Sequence, residues 1–498
     1  MRRIAFLFII MIFAGMSCTD LTEDLYDRLP ASEYPENDLQ IATMSVDAYA
    51  KLRPLADDEG WWYLAQEITS DEICGPTRDA DWDDGGKWRV MHQHNWSNDV
   101  EGVNNMWGRL YEGITTTNQI LDRLRALNQS DEIKAKIAEV EVMRSFYYYL
   151  LMDNFGDVPY LTSTIDVPEK PFKIRREVVF DSLVNTLERN LPRLQNVDKK
   201  YLATRPMAFV LLAKLYLNAE VYTGIPQWEK AGAYSDSIIS NGLYSLDVDP
   251  SGPFGTNNEN NQEIIFSIPY DEDDFQGFRF HMRTLHYQSN LTFDMNVGPW
   301  NGFAAVESHY NSYEEGDLRK DNWFLVGQQY DADGNPIIDA VAEEPLVFTS
   351  EIPALRMTSA NTPAEIRMSG ARIVKYEVAM GAKENLSNDF VVFRLTDVWL
   401  MKAEAEIRMN GDGAGDDWIN DIRDRAGVDL WSGADLDDLL AERGREMFAE
   451  GHRRQDLIRF GEFTDAWWEK PASDPSRRTF PIPKWASDAN ENLLADPQ

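Results

Sequence analysis

The stretch that most constrains this chain lies near its C-terminus, where residues 439–461 read LLAERGREMFAEGHRRQDLIRFG. Leu436, Leu440, Gly444, Met447, Phe448 and Gly451 recur at the spacing of one helix face. Asp435 stands where an N-cap belongs, with a side-chain oxygen to offer the first unpaired N–H groups. Residues three and four apart are neighbours on a helix, so Glu442 is placed to meet Arg445, and Glu450 to meet Arg453 or Arg454. Gly444 inside such a helix costs roughly 1 kcal/mol relative to alanine, which implies that another element presses on the backbone there. A salt-bridged surface helix is the ordinary reading, and exposed pairs of that kind contribute little. Yet arginines concentrate here in a chain of 84 acidic and 48 basic residues, and they are interleaved with apolar positions. The stretch is therefore expected to be a buried structural element without chemistry of its own.

With 498 residues the chain can form two or three average domains, or one large domain with an insertion. A hydrophobic content of 43% and an aromatic content of 12% supply a core and exclude a disordered chain. The net charge of −36 argues against nucleic acid as a partner, because phosphate binding needs clustered Lys and Arg. Residues 1–17 read as a secretory signal: Met1-Arg2-Arg3 is positive, and the apolar run Ile4–Ala14 is too short to span a bilayer. Cys18 sits directly at the cleavage position and looks like the lipid-accepting cysteine of a lipobox, with Gly15 where Leu is usual. Residues 18–40 then read as a polar, acidic, lipidated tether. With Cys18 lipidated, Cys74 is left over, a packed and inert thiol rather than a nucleophile.

Helical periodicity dominates residues 41–245, in Met106–Leu127, Ala138–Phe155, Val178–Leu194, Pro206–Tyr222 and Trp228–Ile239. Gly156 and Pro159 mark a helix stop. LLAKLYLNAE and PQWEKAGAYSDSII resemble a tetratricopeptide helix pair, with Ala213, Ala219, Ala231 and Ala233 small enough for close packing. Residues 246–390 differ: Gly, Asn, Asp and Pro are dense, and short strand-like runs replace helical patterns at Glu263–Ile268, Ile373–Tyr376 and Phe390–Phe393. Long loops in a compact protein are functional or disordered, and these hold too many aromatics for disorder. Residues 391–498 return to helix.

Three segments together resemble the SusD/RagB family, surface nutrient-binding lipoproteins of gut-type Bacteroidetes. The first is RSFYYYLLMDNFGDVPYL (Arg144–Leu161), the second FRLTDVWLMKAEAEIRMNG (Phe393–Gly411) with INDIRDRAG after it. The third runs from Glu442-Arg443 through Glu446, Glu450-Gly451, Arg453 and Asp456-Leu457-Ile458-Arg459 to Phe480-Pro481-Ile482-Pro483. The usual final Gln-Asn-Pro-Gly is degenerate here, reading Ala495-Asp496-Pro497-Gln498. The resemblance implies a mainly α fold: a tetratricopeptide-like helix-pair scaffold, the SusD-like α-α superhelix, with a loop-rich subregion containing short strands inserted in it. It also implies anchoring at the extracellular face of the outer membrane, capture of a glycan, and delivery to a SusC-like, TonB-dependent outer-membrane transporter. The acidic residues Asp20, Glu23 and Asp24 resemble the export signal of such lipoproteins.

Sugar rings present apolar faces and hydroxyl rims, so a site for them needs flat aromatics beside Asn, Asp, Gln or Arg. Two loop regions have that composition: Asp79–Trp88 continuing to Trp96, and Leu285–Trp323. Trp82 and Trp300 are the leading candidates, followed by Trp88, Asp81 and Trp323; Trp61 and Trp62 form a more ambiguous pair. The competing reading for each tryptophan is core or loop anchor. Asp79, Asp81 and Asp83 imitate the start of a calcium loop, but Asp84 replaces the turn glycine and Val90 the bidentate Glu. The six histidines have no zinc spacing. No catalytic residue, metal or cofactor is expected. The function read from the sequence is non-catalytic glycan capture; peptide capture, as in RagB-type relatives, and a glycoside hydrolase with paired carboxylates are the alternatives.

Overall fold

Helices form where apolar residues recur at intervals of three and four. They are α1 (Trp62–Ile68), α2 (Lys87–His92), α3 (Glu101–Ala126), α4 (Asp131–Phe155), α5 (Arg176–Asn190) and α6 (Arg205–Leu217). After them come α7 (Trp228–Ile239), α8 (Leu395–Asn410), α9 (Asp416–Ala426), α10 (Leu436–Glu446) and α11 (Arg453–Phe460). This computed structural model describes residues 38–57 and 60–498. Of the first unit, Met1–Met44, the described part holds one short helix, Asp38–Thr43. The leader at residues 1–17, Cys18 and the tether up to residue 37 lie outside the described residues. The second unit, Ser45–Gln498, carries all the helices labelled above.

Local signals set the helix ends. Ser130 accepts a hydrogen bond from the Ile133 N–H at the start of α4, and Thr204 from Met207 at the start of α6, where Pro206 fills a position that needs no donor. Gly156 ends α4 at φ 73°, as its sequence position suggests. Buried on every side from Val140 to Phe155, α4 is the centre of the core. At Gly113 α3 comes so close that a Cβ would lie 2.3 Å from the Tyr147 ring.

The helices pack in a row: α3 on α4, α4 on α5, α5 on α6, α6 on α7, α7 on α8, and α8 on α9 and α10. This is the tetratricopeptide-like arrangement expected from the sequence. Its break lies between α7 and α8, which touch in space although residues 240–394 separate them in sequence. The loop-rich subregion occupies that gap. Its base is closed by antiparallel pairing of Ile264–Ile268 with Phe390–Arg394, both fully buried. Two-residue ladders tie it to the N-terminal loops: Ile73–Cys74 pairs with Ala304–Ala305, and Thr77–Arg78 with Arg356–Met357. Cys74 is buried in this seam, where desolvation pushes its thiol up to about 12.

Asp435 caps α10 in a capping box with Asp438, and Arg445 pairs with Glu442 at 2.7 Å, both as expected. The element that presses on Gly444 is the Arg453 guanidinium, 2.9 Å from where a Cβ would stand. The helix face does not continue to Gly451, however. Ala449 (φ 58°) and Gly451 (φ 79°) break it, and the Gly451 N–H donates to Glu67 at 2.6 Å. This turn sends Glu450 inward to Lys375 (2.5 Å) and Arg394 (2.7 Å) instead of to Arg453 or Arg454. Arg453 turns to Asp71 at 2.7 Å, and the Arg454 guanidinium lies over the Phe463 and Phe480 rings.

The result is a closed network of buried charges. Glu446 receives Arg319 (3.0 Å), Arg394 (2.9 Å) and Arg425 (2.5 Å); Glu442 receives Arg319 (2.6 Å) and Arg423 (2.8 Å). Burial alone raises a carboxyl pKa, but the surrounding arginines reverse it here. Glu442 and Asp456 are each held at about 2, and Glu446 is also held well below the usual carboxylate range. Such a network fixes geometry more than it adds stability over an apolar core, and removing one member leaves its partners charged and buried.

Candidate functional site

One cleft is assembled from the two loop regions singled out in the sequence. Asp81, Trp82, Asp84, Lys87 and Trp88 line it from one side, and Arg283, Tyr287, Pro299 and Trp300 from the other, around a cavity of about 390 Å³. The first wall descends from the Thr77–Arg78 strand through a tight loop into α2. Trp82 (φ 56°) and Asp84 (φ 41°) adopt left-handed backbone conformations in that loop. Across the cleft, Asn301 (φ 57°) does the same immediately after Trp300. Positive φ at a bulky non-glycine residue is strained, and such strain collects at functional sites.

The two walls are joined by direct bonds. The Trp82 indole N–H donates to the Trp300 carbonyl at 2.6 Å, and the Tyr287 hydroxyl donates to the Asp81 carboxylate. Arg78 sends its guanidinium to the carbonyls of Ile366 (2.8 Å) and Ser369 (3.1 Å), anchoring the strand that leads to Asp81. Gly302 lies against the face of Trp82; a Cβ there would be 2.2 Å from the ring. Beneath the cleft, Trp88 stacks on Trp61 (centroids 4.8 Å apart, 20° between planes) and meets Phe303 edge-on at 4.9 Å. The Trp88 indole donates to Asp84 at 2.7 Å.

Cations and carboxylates are balanced in this cleft. Lys87 lies 4.8 Å from the Trp88 centroid and pairs with Glu101 at 3.0 Å. The Arg283 guanidinium is 5.3 Å from the Trp300 centroid and pairs with Asp57 at 2.5 Å. Burial and the neighbouring Asp81 push the Tyr287 hydroxyl up to about 12, so it stays a donor at neutral pH. Exposure separates the rings by role. Trp88 is only 2% exposed and Trp82 8%, whereas Trp300 and Tyr287 are half-buried and keep a face toward the cleft. The arrangement is an aromatic shelf with a polar rim, suited to an apolar ring face bordered by hydroxyls.

A family model described as SusD family matches residues 262–492, and another, described as starch-binding associating with outer membrane, matches residues 49–217. Starch-binding protein SusD of Bacteroides thetaiotaomicron is 26% identical over 441 residues, 80% of this chain and 78% of that protein. Surface glycan-binding protein A from Bacteroides thetaiotaomicron, in complex with laminarihexaose, superposes with a TM-score of 0.72. The pair are 21% identical over 91% of this chain and 97% of that one. A SusD superfamily protein from Parabacteroides distasonis superposes with a TM-score of 0.74 at 19% identity, over 94% of this chain and 99% of that one. The chain belongs to the SusD family. The descriptions of these relatives are of binding: starch-binding for SusD and for the second family model, glycan-binding for surface glycan-binding protein A.

Of the residues expected at the site, Trp82, Trp300, Trp88 and Asp81 line this cleft, and Trp323 does not. Trp323 is 0% exposed and sits against the charge network, with the Lys375 ammonium 4.0 Å from its ring and its indole N–H donating to Ser251 at 3.1 Å. The physical reason is its own helix, Leu318–Trp323, which carries Arg319 into that network and draws the segment inward. Trp61 underlies the cleft, while Trp62 turns away toward Phe390. Arg283, and Asp57 behind it, escaped sequence reasoning because nothing local marks an arginine that will lie over a ring from a distant loop.

Two carboxylates of the calcium-like run have other partners, Asp81 meeting Tyr287 and Asp83 meeting Arg89 at 2.7 Å, and Asp84 beside them meets Trp88. Among the described residues no group of His, Cys, Asp and Glu is placed to hold a metal ion. Burial depresses the imidazoles, His92, His281, His286 and His452 to about 4 and His309 to about 3, so these are neutral packing groups.

Proposed function

We propose that the cleft between Trp82 and Trp300 binds an oligosaccharide or polysaccharide at the cell surface, and that the protein hands it to a SusC-like, TonB-dependent outer-membrane transporter. The observation that carries this reading is the convergence of Trp82, Trp300 and Tyr287 with Asp81 and Arg283, from segments about two hundred residues apart, onto one cleft. Aromatic faces supply stacking, and the rim supplies donors and acceptors for hydroxyls. The relatives named above, a starch-binding protein and a surface glycan-binding protein, support the same substrate class. In this reading residues 246–390 supply one wall of the site and residues 41–245 the other. Lipidation at Cys18 and placement on the extracellular face of the outer membrane complete the proposal and suit a description that associates with that membrane.

The test is a binding screen of the purified protein against a panel of polysaccharides and peptides, repeated with Trp300→Ala. Loss of a ring at the centre of a site typically costs about 2 kcal/mol or more, roughly thirtyfold in affinity. The expected result is one glycan class bound by wild type and weakened to that extent in the variant. Binding of peptides in place of glycans, or an affinity that Trp300→Ala leaves unchanged, would overturn the assignment.

A further inference from the structure

A larger cleft of about 750 Å³ adjoins the aromatic one. The loop from Asn296 to Trp300 divides them: Asn296 and Val297 face the larger cleft, Pro299 and Trp300 the smaller. Arg279 links the two, since it lines the larger cleft, bonds Asp57 at 2.8 Å, and holds its guanidinium 5.8 Å from the Trp300 centroid. Asp57 also receives Arg283 at 2.5 Å, and Arg283 lines the smaller cleft. A single ion-paired wall thus has one face in each.

The chemistry of the two clefts is complementary. Among the described residues no aromatic ring lines the larger one, which therefore offers no shelf to stack on. Most of its charges pair off: Lys383 meets Asp273 at 2.8 Å and Glu272 at 3.0 Å, and Arg279 meets Glu384 at 3.8 Å besides Asp57. Such a surface presents donors and acceptors with little net field. That suits the hydroxyls of a neutral chain.

We propose that the larger cleft is an extension of the ligand site. A neutral oligosaccharide stacked on Trp300 continues over the Asn296–Trp300 loop and places the hydroxyls of its further units against Arg279, Asn296, Lys383 and Glu384. The inference rests on the aromatic cleft being the glycan site. Its consequence is selection for chain length: a fragment that fills only the aromatic cleft forgoes the polar contacts that a longer chain gains.

Starch-derived and laminarin-derived oligosaccharide ladders, with ladders of any other panel glycan that binds, are titrated calorimetrically into four proteins. These are wild type, Asn296→Ala, the double variant Lys383→Ala/Glu384→Ala, and Trp300→Ala. Wild-type affinity is expected to climb with length beyond the shortest fragment bound. Both polar-cleft variants are expected to lose about three- to tenfold on long chains and nothing on the shortest, the size of one or two hydrogen bonds. Trp300→Ala is expected to lose affinity at every length. Thermal midpoints of the polar-cleft variants are expected to match wild type, because exposed ion pairs contribute little. Unchanged affinity for long chains in both variants, or equal losses at all lengths, overturns the extension and leaves the aromatic site standing. A wild type that binds no glycan, or a Trp300→Ala protein with full affinity, overturns both.

Discussion

Around Glu446, three arginines meet carboxylates at distances of 3.0 Å or less in a place where Arg319 and Arg394 have no solvent exposure. Around Trp300, Arg279 and Arg283 also meet a carboxylate, Asp57, but each of these arginines lines an open cleft and lies against the Trp300 ring. Both regions use arginine over aromatics and arginine on acids. In the first, each cation is enclosed by partners from several elements and burial keeps it from a ligand. In the second, the ion pair holds an indole whose other face stays available. The difference is closure, and it decides which region supports the fold and which can bind.

The two regions should therefore respond oppositely to substitution. The largest effect is expected at Arg394, whose guanidinium serves Glu263 (2.6 Å), Glu446 (2.9 Å) and Glu450 (2.7 Å). Arg394→Met leaves those carboxylates buried without that cation, a loss of about 3–5 kcal/mol or more. Urea unfolding should show a sharply lowered midpoint or no folded protein. A midpoint near wild type would mean that the network is not the support described above.

The paired tryptophans give a cleaner contrast. Trp323→Ala removes a buried indole from the face of Lys375 and should cost about 3–5 kcal/mol of stability while glycan affinity per folded molecule is retained. Trp300→Ala should lower affinity roughly thirtyfold with a far smaller change in unfolding midpoint. Measuring both quantities on both variants tests the division directly. If Trp323→Ala weakened binding as much as Trp300→Ala, the boundary between support and site would be misplaced.

That pair also shows how far the sequence could be read. The helix scaffold was legible because each helix carries its own periodicity, and α4 also its own stop at Gly156. The C-terminal element was legible for the same reason: Asp435, Gly444 and the Glu442–Arg445 pair act within one or two turns. Where contacts are long-range the reading failed. Glu450 finds Arg394 and Lys375 rather than its helical neighbours because Gly451 breaks the helix to bond Glu67. Trp323 shares the composition of the loop that bears Trp300, but Arg319, four residues earlier, commits its segment to the interior. Composition picked out two segments that line one cleft; only the partners of each side chain separated the rings that face it from those that are buried.

A smaller and more gradual effect concerns pH, and here the C-terminal element and the groups packed on it titrate in opposing directions. Glu442 and Asp456 are held at about 2, below their unfolded values, so the stability they contribute is full above about pH 4.5 and is lost as pH falls toward 2. Glu67 runs the other way. Burial pushes its carboxyl up to about 8, and the neighbouring Glu72 is raised as well. Its contribution is therefore full below about pH 4.5 and is lost as pH rises through 8. A single group of this kind gives a slope of at most about 1.4 kcal/mol per pH unit, and sharing the titration with Glu72 and Lys375 spreads it further. Glu67→Gln keeps an oxygen to accept the Gly451 N–H and cannot ionise. Relative to wild type, the variant should gain stability steadily as urea midpoints are taken from about pH 5 to about pH 8. A difference between the two proteins that stays constant across that range would show that Glu67 does not hold its proton in the folded state, and that the turn at Gly451 is secured by a carboxylate after all.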